Sequence, residues 1–425
     1  MDSTTYRSNH RTELTLFGRP AQQGRWFLIP LGMVILLCLG TVYSWSIFRK
    51  PLENELGLTA TQSLLPYTVA LLCYAITMPI AGFYIPRLGT RWMTALGGVV
   101  MGVGYMLSSF TTSITAMVFT YGVIAGVGVG IAYGVPMAVM ARWFSDRKGL
   151  AVGLTIVGFG LSPLVTAPLA KSLMDSYAVR PTLFALGLGF MLIIVAIATT
   201  MKLPPQGWQP TTATAATTVK PAPLKYPKTM LKSSSFYGLW LCYIIGTFVG
   251  LSAIGISSPV GEEIIQVEPG IAAASVSLFA LFNGVSRPLF GWLCDRFQPR
   301  HIAIASYTLI LVACILMVNA EQGQVVTYLV AFSLFWFCLG GWLALAPTTT
   351  LSLFNPDDYA QNYGIVFTAY GIGALLGTLV AGQLRDWLGS YTYVFYPMGA
   401  LAIVGIGLAH VMLKRDGQID SGQVS

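Results

Sequence analysis

Charge is what this chain has least of. Only 9% of its 425 residues are Asp, Glu, Lys or Arg, against roughly 25% in soluble globular domains. With 55% of the residues hydrophobic, long stretches carry no charge at all, which excludes an ordinary soluble fold. Acids are the scarcer sign, and each of the 16 falls in a tail, a loop or the end of an apolar run. Three histidines, His10, His301 and His410, are too few and too scattered for a hydrolytic or metal-assisted centre. The six cysteines (Cys38, Cys73, Cys242, Cys294, Cys314 and Cys338) lie in or at the ends of apolar runs. Their spacing fits no metal site and none sits where a disulfide would staple a loop. The glycines of 122–134 show the small-x-x-x-small spacing of closely packed membrane helices, without the strand–helix context of a phosphate loop. The expectation is therefore a protein that is not an enzyme, with neither cofactor nor metal.

What the chain does have is apolar runs of membrane-spanning length. A span takes about 20 mainly apolar residues, because lipid cannot satisfy stray backbone polar groups. Such runs lie near 26–47, 61–85, 92–110, 115–141, 150–173 and 181–201, and again near 235–258, 271–294, 301–319, 325–351, 362–384 and 391–413. Between the two sets lies a Pro-, Thr- and Ala-rich stretch, 202–234, which reads as a linker. The sequence thus predicts an all-α membrane protein of twelve spans: an N-terminal arm 1–25, a six-helix half 26–201, a linker 202–234, a second half 235–413 and a tail 414–425. The polar, basic arm followed by a full-length span predicts no cleaved leader. Lys and Arg set the orientation. With the N-terminus inside, eighteen of the 24 fall on the inner side and five (Arg49, Lys50, Lys171, Arg180, Arg385) in outer loops. Both termini are then cytoplasmic, in a cytoplasmic (inner or plasma) membrane. The net charge of +8 is a topology signal and calls for no nucleic-acid partner; lipid is the only partner the sequence requires besides a solute.

The halves repeat each other. Gly82, Arg87 and Arg91 in the stretch 82–91 match Gly291, Arg296 and Arg300 in 291–300, at an offset of 209; Phe144 matches Phe354 and Gly153 matches Gly364 at nearly the same offset. The pattern Gly291, Asp295, Arg296, Arg300, with its degenerate copy, resembles the signature loop of the major facilitator superfamily. That resemblance implies two parallel six-helix pseudo-repeats about a central cavity. The first copy has Pro86 where the family usually has Asp. Stretches 40–46, 143–153 and 283–292 further resemble the oxalate/formate antiporter family and the monocarboxylate transporters. By the same resemblance, the inner-loop charges Arg87, Arg91, Asp146, Arg147, Asp295, Arg296 and Arg300 are expected to act as latches that stabilise one facing state.

The remaining cation is Arg287, in the middle of the eighth run. A charge there costs at least ~2.5–3.5 kcal/mol on insertion scales, so it is expected to face a cavity and to have a function. Asp295, about two turns away along a helix, is a poor partner. The repeat supplies a control: at the same offset Arg287 aligns with Met78 while the adjacent Pro288 aligns with Pro79. The fold accepts an apolar residue there, and the charge has been added in one half. A guanidinium in a cavity suits a carboxylate, which its planar fork binds with two hydrogen bonds. Asn283, one turn before, shares its face and reads equally well as a ligand for the guanidinium or as packing glue between helices. The resemblance to the oxalate exchanger implies a second cation, a lysine, on the eleventh span; here Tyr370 stands at that place. One cation favours one carboxylate, so the expected cargo is a small monocarboxylate of the lactate, pyruvate, glycolate or formate type, moved with protons (symport) or against a counter-anion (antiport). Oxalate exchange and a transport-inactive ligand sensor are the alternatives. Tyr43, Tyr121, Tyr133, Trp336, Phe367 and Tyr370 complete the candidate pocket, since each ring offers apolar contact and tyrosine adds a hydroxyl.

Overall fold

The computed structural model describes residues 14–205, 208–210, 230–354 and 359–413. Twelve long helices appear where the apolar runs stand. They are α1 (Ala21–Leu56), α2 (Ala60–Leu88), α3 (Thr90–Ser108), α4 (Ile114–Trp143), α5 (Lys148–Tyr177) and α6 (Val179–Ala198) in the first half. The second half contributes α7 (Ser234–Ile265), α8 (Pro269–Arg296), α9 (Pro299–Val318), α10 (Val325–Leu353), α11 (Tyr359–Leu388) and α12 (Tyr391–Met412). Among the described residues, eleven are long and apolar enough to cross a membrane. The other, α3, is diluted by Gly97, Gly98, Gly102 and Gly104, which let it press against α4 and α6.

Local chemistry places the helix ends. Gly57 ends α1 in the left-handed region at φ 64°, which glycine alone enters without penalty. Thr59 then opens α2 with a capping box to Gln62, satisfying two otherwise orphaned backbone donors. Pro269 and Pro299 occupy first-turn positions of α8 and α9, where a missing N–H costs nothing. Helices α1, α4 and α7 are not uniform. α1 passes through tighter 3-10 turns at Arg25–Phe27 and Gly40–Ser44, and α4 and α7 widen into π-helix at Val118–Ala125 and Gly261–Ile265. Such departures recur at functional sites, where they re-aim side chains.

The halves meet along two seams, α2 against α11 and α5 against α8, with the end of α1 against α7. Helices α3 and α6, and α9 and α12, pair outside these. Within each half, helices approach closely over small residues: a Cβ on Gly373 would lie 2.7 Å from the carbonyl oxygen of Ile244, and one on Gly126 2.6 Å from that of Ala70.

Two segments differ from the sequence reading. Residues 14–25, expected in a polar arm, fold into a hairpin (β1 Thr15–Leu16, β2 Arg19–Pro20) that leads directly into α1. Arg25 is buried there and donates to both carboxylate oxygens of Asp146, at 2.5 and 2.8 Å. The start of the expected linker also packs: Trp143 donates to the carbonyl of Lys202 and its ring meets Trp208 at 4.8 Å. The central part of that linker, 211–229, residues 1–13 and the tail 414–425 lie outside the described residues.

Candidate functional site

Arg287 sits on α8 at the α5–α8 seam and is 4% exposed. One terminal nitrogen donates to the Asn283 Oδ1 at 3.1 Å, one turn earlier. The other crosses to the first half and donates to the backbone carbonyl of Ile156 on α5 at 2.9 Å. Its Nε, equally buried, has no partner among the described residues. Its hydrogen-bond partners are both neutral oxygens, and no carboxylate among the described residues pairs with the charge. An unpaired buried donor on a charged group is the costliest kind to leave unsatisfied.

Asn283 combines both of its sequence readings. Its Oδ1 takes the guanidinium while its Nδ2 donates to the Trp336 carbonyl on α10 at 2.8 Å. It therefore fixes the arginine and ties α8 to α10. Trp336 is in turn held by its indole nitrogen, which donates to Ser257 on α7 at 3.0 Å.

Around this pair the structure gathers most of the expected aromatics. The hydroxyls of Tyr43 (α1) and Tyr370 (α11) hydrogen-bond across the two halves at 2.9 Å. Phe367 stacks on Tyr370 with centroids 4.9 Å apart, and Trp336 meets Tyr43 edge-on at 6.3 Å. Tyr43, Tyr370, Trp336 and Asn283 have no solvent exposure, so the centre is sealed in this state. Tyr133 joins through Tyr74 (5.0 Å) and Phe159 (5.1 Å). Tyr121 is placed elsewhere, on the π-helical stretch of α4: its ring packs on Trp45 at 4.3 Å and its hydroxyl bonds Tyr105 at 3.2 Å.

Sequence reasoning missed two central rings. Phe159 lies 5.9 Å below the Arg287 guanidinium, in cation–π range, and 5.0 Å from Tyr43; Tyr74 contacts Tyr133, Phe159, Phe367 and Tyr370. Nothing in the spacing of either residue distinguishes it from a packing aromatic. Gly160 makes room for the Asn283–Arg287 pair: a Cβ there would lie 2.8 Å from Asn283 Oδ1 and 2.9 Å from Arg287 Nε. For the carboxylate that the sequence expects Arg287 to hold, Gly160→Ala should push the guanidinium off its seat and raise KM about tenfold, roughly 1.4 kcal/mol, with the protein still monodisperse. Initial uptake rates over a range of anion concentrations check this, and an unchanged KM contradicts the role given to Gly160.

Arg287 is one of three buried arginines among the described residues, where the sequence predicts one. Arg49, expected in an outer loop, lies within α1 and is fully buried, as is Arg25. These two differ from Arg287 in having carboxylate partners, Glu53 at 3.0 Å and Asp146 at 2.5 Å. Arg49 also donates to Ser63 Oγ (2.9 Å), to the carbonyls of Ala60 (3.1 Å) and Gly255 (3.0 Å), and to Tyr391 Oη (2.7 Å). Gly255 and Tyr391 belong to the second half, so this arginine ties the halves at the end opposite the termini. The same end holds Lys50 against Glu263, and Arg385 to Glu263 at 2.7 Å. There the Asp386 carboxylate accepts from the backbone nitrogens of Ala60 and Thr61 at 2.9 and 3.0 Å, capping α2 from α11. The i, i+4 spacing of Arg49 and Glu53 was the available signal; net-charge counting hid it.

At the terminal end, of the residues expected as latches, Asp146 pairs with Arg25 inside the first half. Arg87, Arg91, Arg147 and Arg296 are exposed, with Arg296 over the Trp292 ring at 4.4 Å. Arg300 is half-buried, and the Asp295 side chain lies outside the described residues.

Two six-helix halves around a buried basic centre define a membrane transporter, and comparison with known proteins gives its family. The family model for the Major Facilitator Superfamily matches residues 30–274 and 244–423. The chain belongs to the major facilitator superfamily, a family of transporters rather than enzymes, and is a multi-pass membrane protein. It is 28% identical over 399 residues to the oxalate:formate antiporter of Oxalobacter formigenes, covering 93% of each chain. Over 337 residues it is 26% identical to monocarboxylate transporter 13 of Rattus norvegicus, covering 78% of this chain and 75% of that one. Among solved structures, a POT family transporter in complex with 5-aminolevulinic acid superposes with a TM-score of 0.72 at 16% identity, covering 94% of this chain and 97% of the other. An inward-facing bacterial homologue of the lysosomal transporter Spinster gives 0.68 at 15% identity, covering 93% and 96%. At such identities these structures speak to the fold alone.

Proposed function

We propose that the protein is a secondary active transporter of small organic monocarboxylates, of the lactate, pyruvate, glycolate or formate type, with Arg287 as the carboxylate anchor. The observation that carries this reading is the buried Arg287 guanidinium, held by neutral oxygens and with its Nε unpartnered. A carboxylate arriving side-on supplies both the missing acceptor and the missing charge. Tyr43 and Tyr370, now bonded to each other, turn their hydroxyls to the substrate, and Phe159, Trp336, Phe367 and Tyr133 enclose its apolar part. The termini lie in the cytoplasm of a cell with this protein in its cytoplasmic membrane. The polar ties of Arg49, Glu263 and Asp386 then close the outer side, and rocking of the halves exposes the centre alternately. The relatives named as an oxalate:formate antiporter and a monocarboxylate transporter support an anionic cargo. The cargo's proton, or a counter-anion, carries the coupling.

The test is a substrate panel on purified protein in liposomes. Labelled lactate, glycolate and formate are expected to enter and labelled oxalate to be ignored; oxalate uptake at a comparable rate contradicts the one-cation reading. The converse is a gain of function. Tyr370→Lys places a second cation beside Arg287, and the expected result is measurable oxalate uptake with lactate uptake reduced about tenfold, because a monoanion leaves one buried charge unpaired. Uptake of both anions unchanged in this variant argues that position 370 does not face the substrate.

A further inference from the structure

A second polar pocket, remote from the transport centre, opens where α1 begins. It encloses about 400 Å³ between Arg19, Gln22, Gln23, Trp26 and Arg147, over the Arg25–Asp146 pair. The floor is rigid: Arg25 grips both oxygens of Asp146, donates to the Trp143 carbonyl at 2.9 Å and lies over the Phe144 ring at 4.7 Å. That pair cancels its own charge. Arg19 and Arg147, both exposed, have no ion-pair partner among the described residues, so the walls carry two positive charges. The level is set by the helices. The pocket lies where α1 starts and in the turn from α4 to α5, the height at which spans leave the hydrocarbon.

The hairpin supplies the second, independent observation. Its two-residue turn puts Phe17 at φ 54° and Gly18 at φ 71°. A bulky side chain at positive φ is a rare and strained choice for a turn. Here it holds Phe17 at the tip, 43% exposed, edge-on to Phe27 at 6.0 Å, while Arg19 lies over the Phe27 ring at 5.1 Å. Trp26 and Phe27 are 39% and 43% exposed beside it. Exposed aromatics next to arginines at a span end are the arrangement that seats in the headgroup layer.

We propose that this pocket binds the phosphate of an anionic phospholipid headgroup, between Arg19 and Arg147, with Phe17, Trp26 and Phe27 lying among the upper acyl carbons. A zwitterionic headgroup brings its own cation against the two arginines and is disfavoured. A free phosphate satisfies the charges but leaves the aromatic rim uncovered. The inference does not rest on the transported substrate.

Native mass spectrometry of the full-length protein, titrated with phosphatidylglycerol, phosphatidylcholine or inorganic phosphate, reads the site directly. Phosphatidylglycerol is expected to bind about tenfold more tightly than phosphatidylcholine, and equimolar inorganic phosphate not to displace it. Each basic group near an anionic lipid contributes a factor of roughly five. The double variant Arg19→Gln/Arg147→Gln should therefore bind phosphatidylglycerol about thirtyfold more weakly. Arg19→Gln alone, at an exposed position that the fold tolerates, should bind about fivefold more weakly. Phe17→Gly relaxes the turn and is expected to reduce lipid binding while leaving the two charges in place. Wild-type affinity in the Arg19→Gln variant, or equal binding of the two lipids, overturns the site. Displacement of the lipid by equimolar phosphate overturns the lipid assignment in favour of a free anion.

Discussion

Arg287→Gln is expected to abolish anion uptake while leaving the protein folded. Removing one partner of a buried charged pair costs about 2–5 kcal/mol of binding, a loss of roughly thirtyfold to several thousandfold. The cost to the fold is small by comparison. The residue Met78 at the corresponding place of the first half shows that an apolar side chain serves the packing there, and the Arg287 hydrogen bonds are made to groups with other partners. Asn283 retains its bond to the Trp336 carbonyl, and Ile156 lies within α5. Arg287→Lys separates charge from geometry. It keeps the cation but loses the planar fork, so an intermediate rate is expected, with KM raised more than the maximal rate is lowered. Initial rates in liposomes, alongside size-exclusion profiles in detergent, check both variants.

Glu53→Gln is expected to have the other large effect, on the balance between states. Glu53 neutralises Arg49, which is fully buried and spans the two halves through Gly255 and Tyr391. It also accepts from Ser63 at 2.5 Å and pairs with Lys50 at 3.4 Å. Breaking a buried pair by removing one partner costs about 3–5 kcal/mol, because the other charge is left unpaired. That cost falls on the state closed at this end, since opening returns Arg49 to water. The variant should therefore favour the arrangement open at the end opposite the termini. Thr68 on α2 faces Thr378 on α11 at 2.5 Å and reports on it. A cysteine at 68, in a background lacking the six native cysteines, is expected to react at least tenfold faster with a thiol reagent after Glu53→Gln. An unchanged rate, with the fold intact, removes Arg49 and Glu53 from the gating account.

Much of this architecture is legible in the sequence because a bilayer imposes a simple rule: a span must be long, apolar and helical. The twelve runs and the parallel repeat follow from that, and the helices exceed the runs by a few residues at ends such as Ala21 and Leu56, where polar side chains are tucked inward. Arg287 is equally legible, since a charge in the middle of a run has no cheap structural explanation and its counterpart in the repeat is Met78. Arg49 was misplaced for the opposite reason. It stands near charged neighbours at a run's end, and only tertiary contacts to Gly255 and Tyr391, distant by more than two hundred residues, reveal that it is buried. Phe159, Tyr74 and Gly160 also depend on which helix faces turn inward, which mean hydropathy does not encode in a helix that is apolar all round. Tyr121 shows the same limit: its spacing puts it on α4, but a π-helical stretch turns it toward Tyr105 and Trp45.

The central claim is that Arg287 binds the carboxylate itself, and equilibrium binding tests it without the complications of coupling and flux. Labelled lactate would be titrated against purified wild-type protein and the Arg287→Gln variant in lipid nanodiscs, with chloride held constant. The account predicts saturable binding by the wild type and none measurable in the variant over the same range. Equal affinities in the two proteins would show that the carboxylate is held elsewhere and that Arg287 belongs to the packing between α5 and α8.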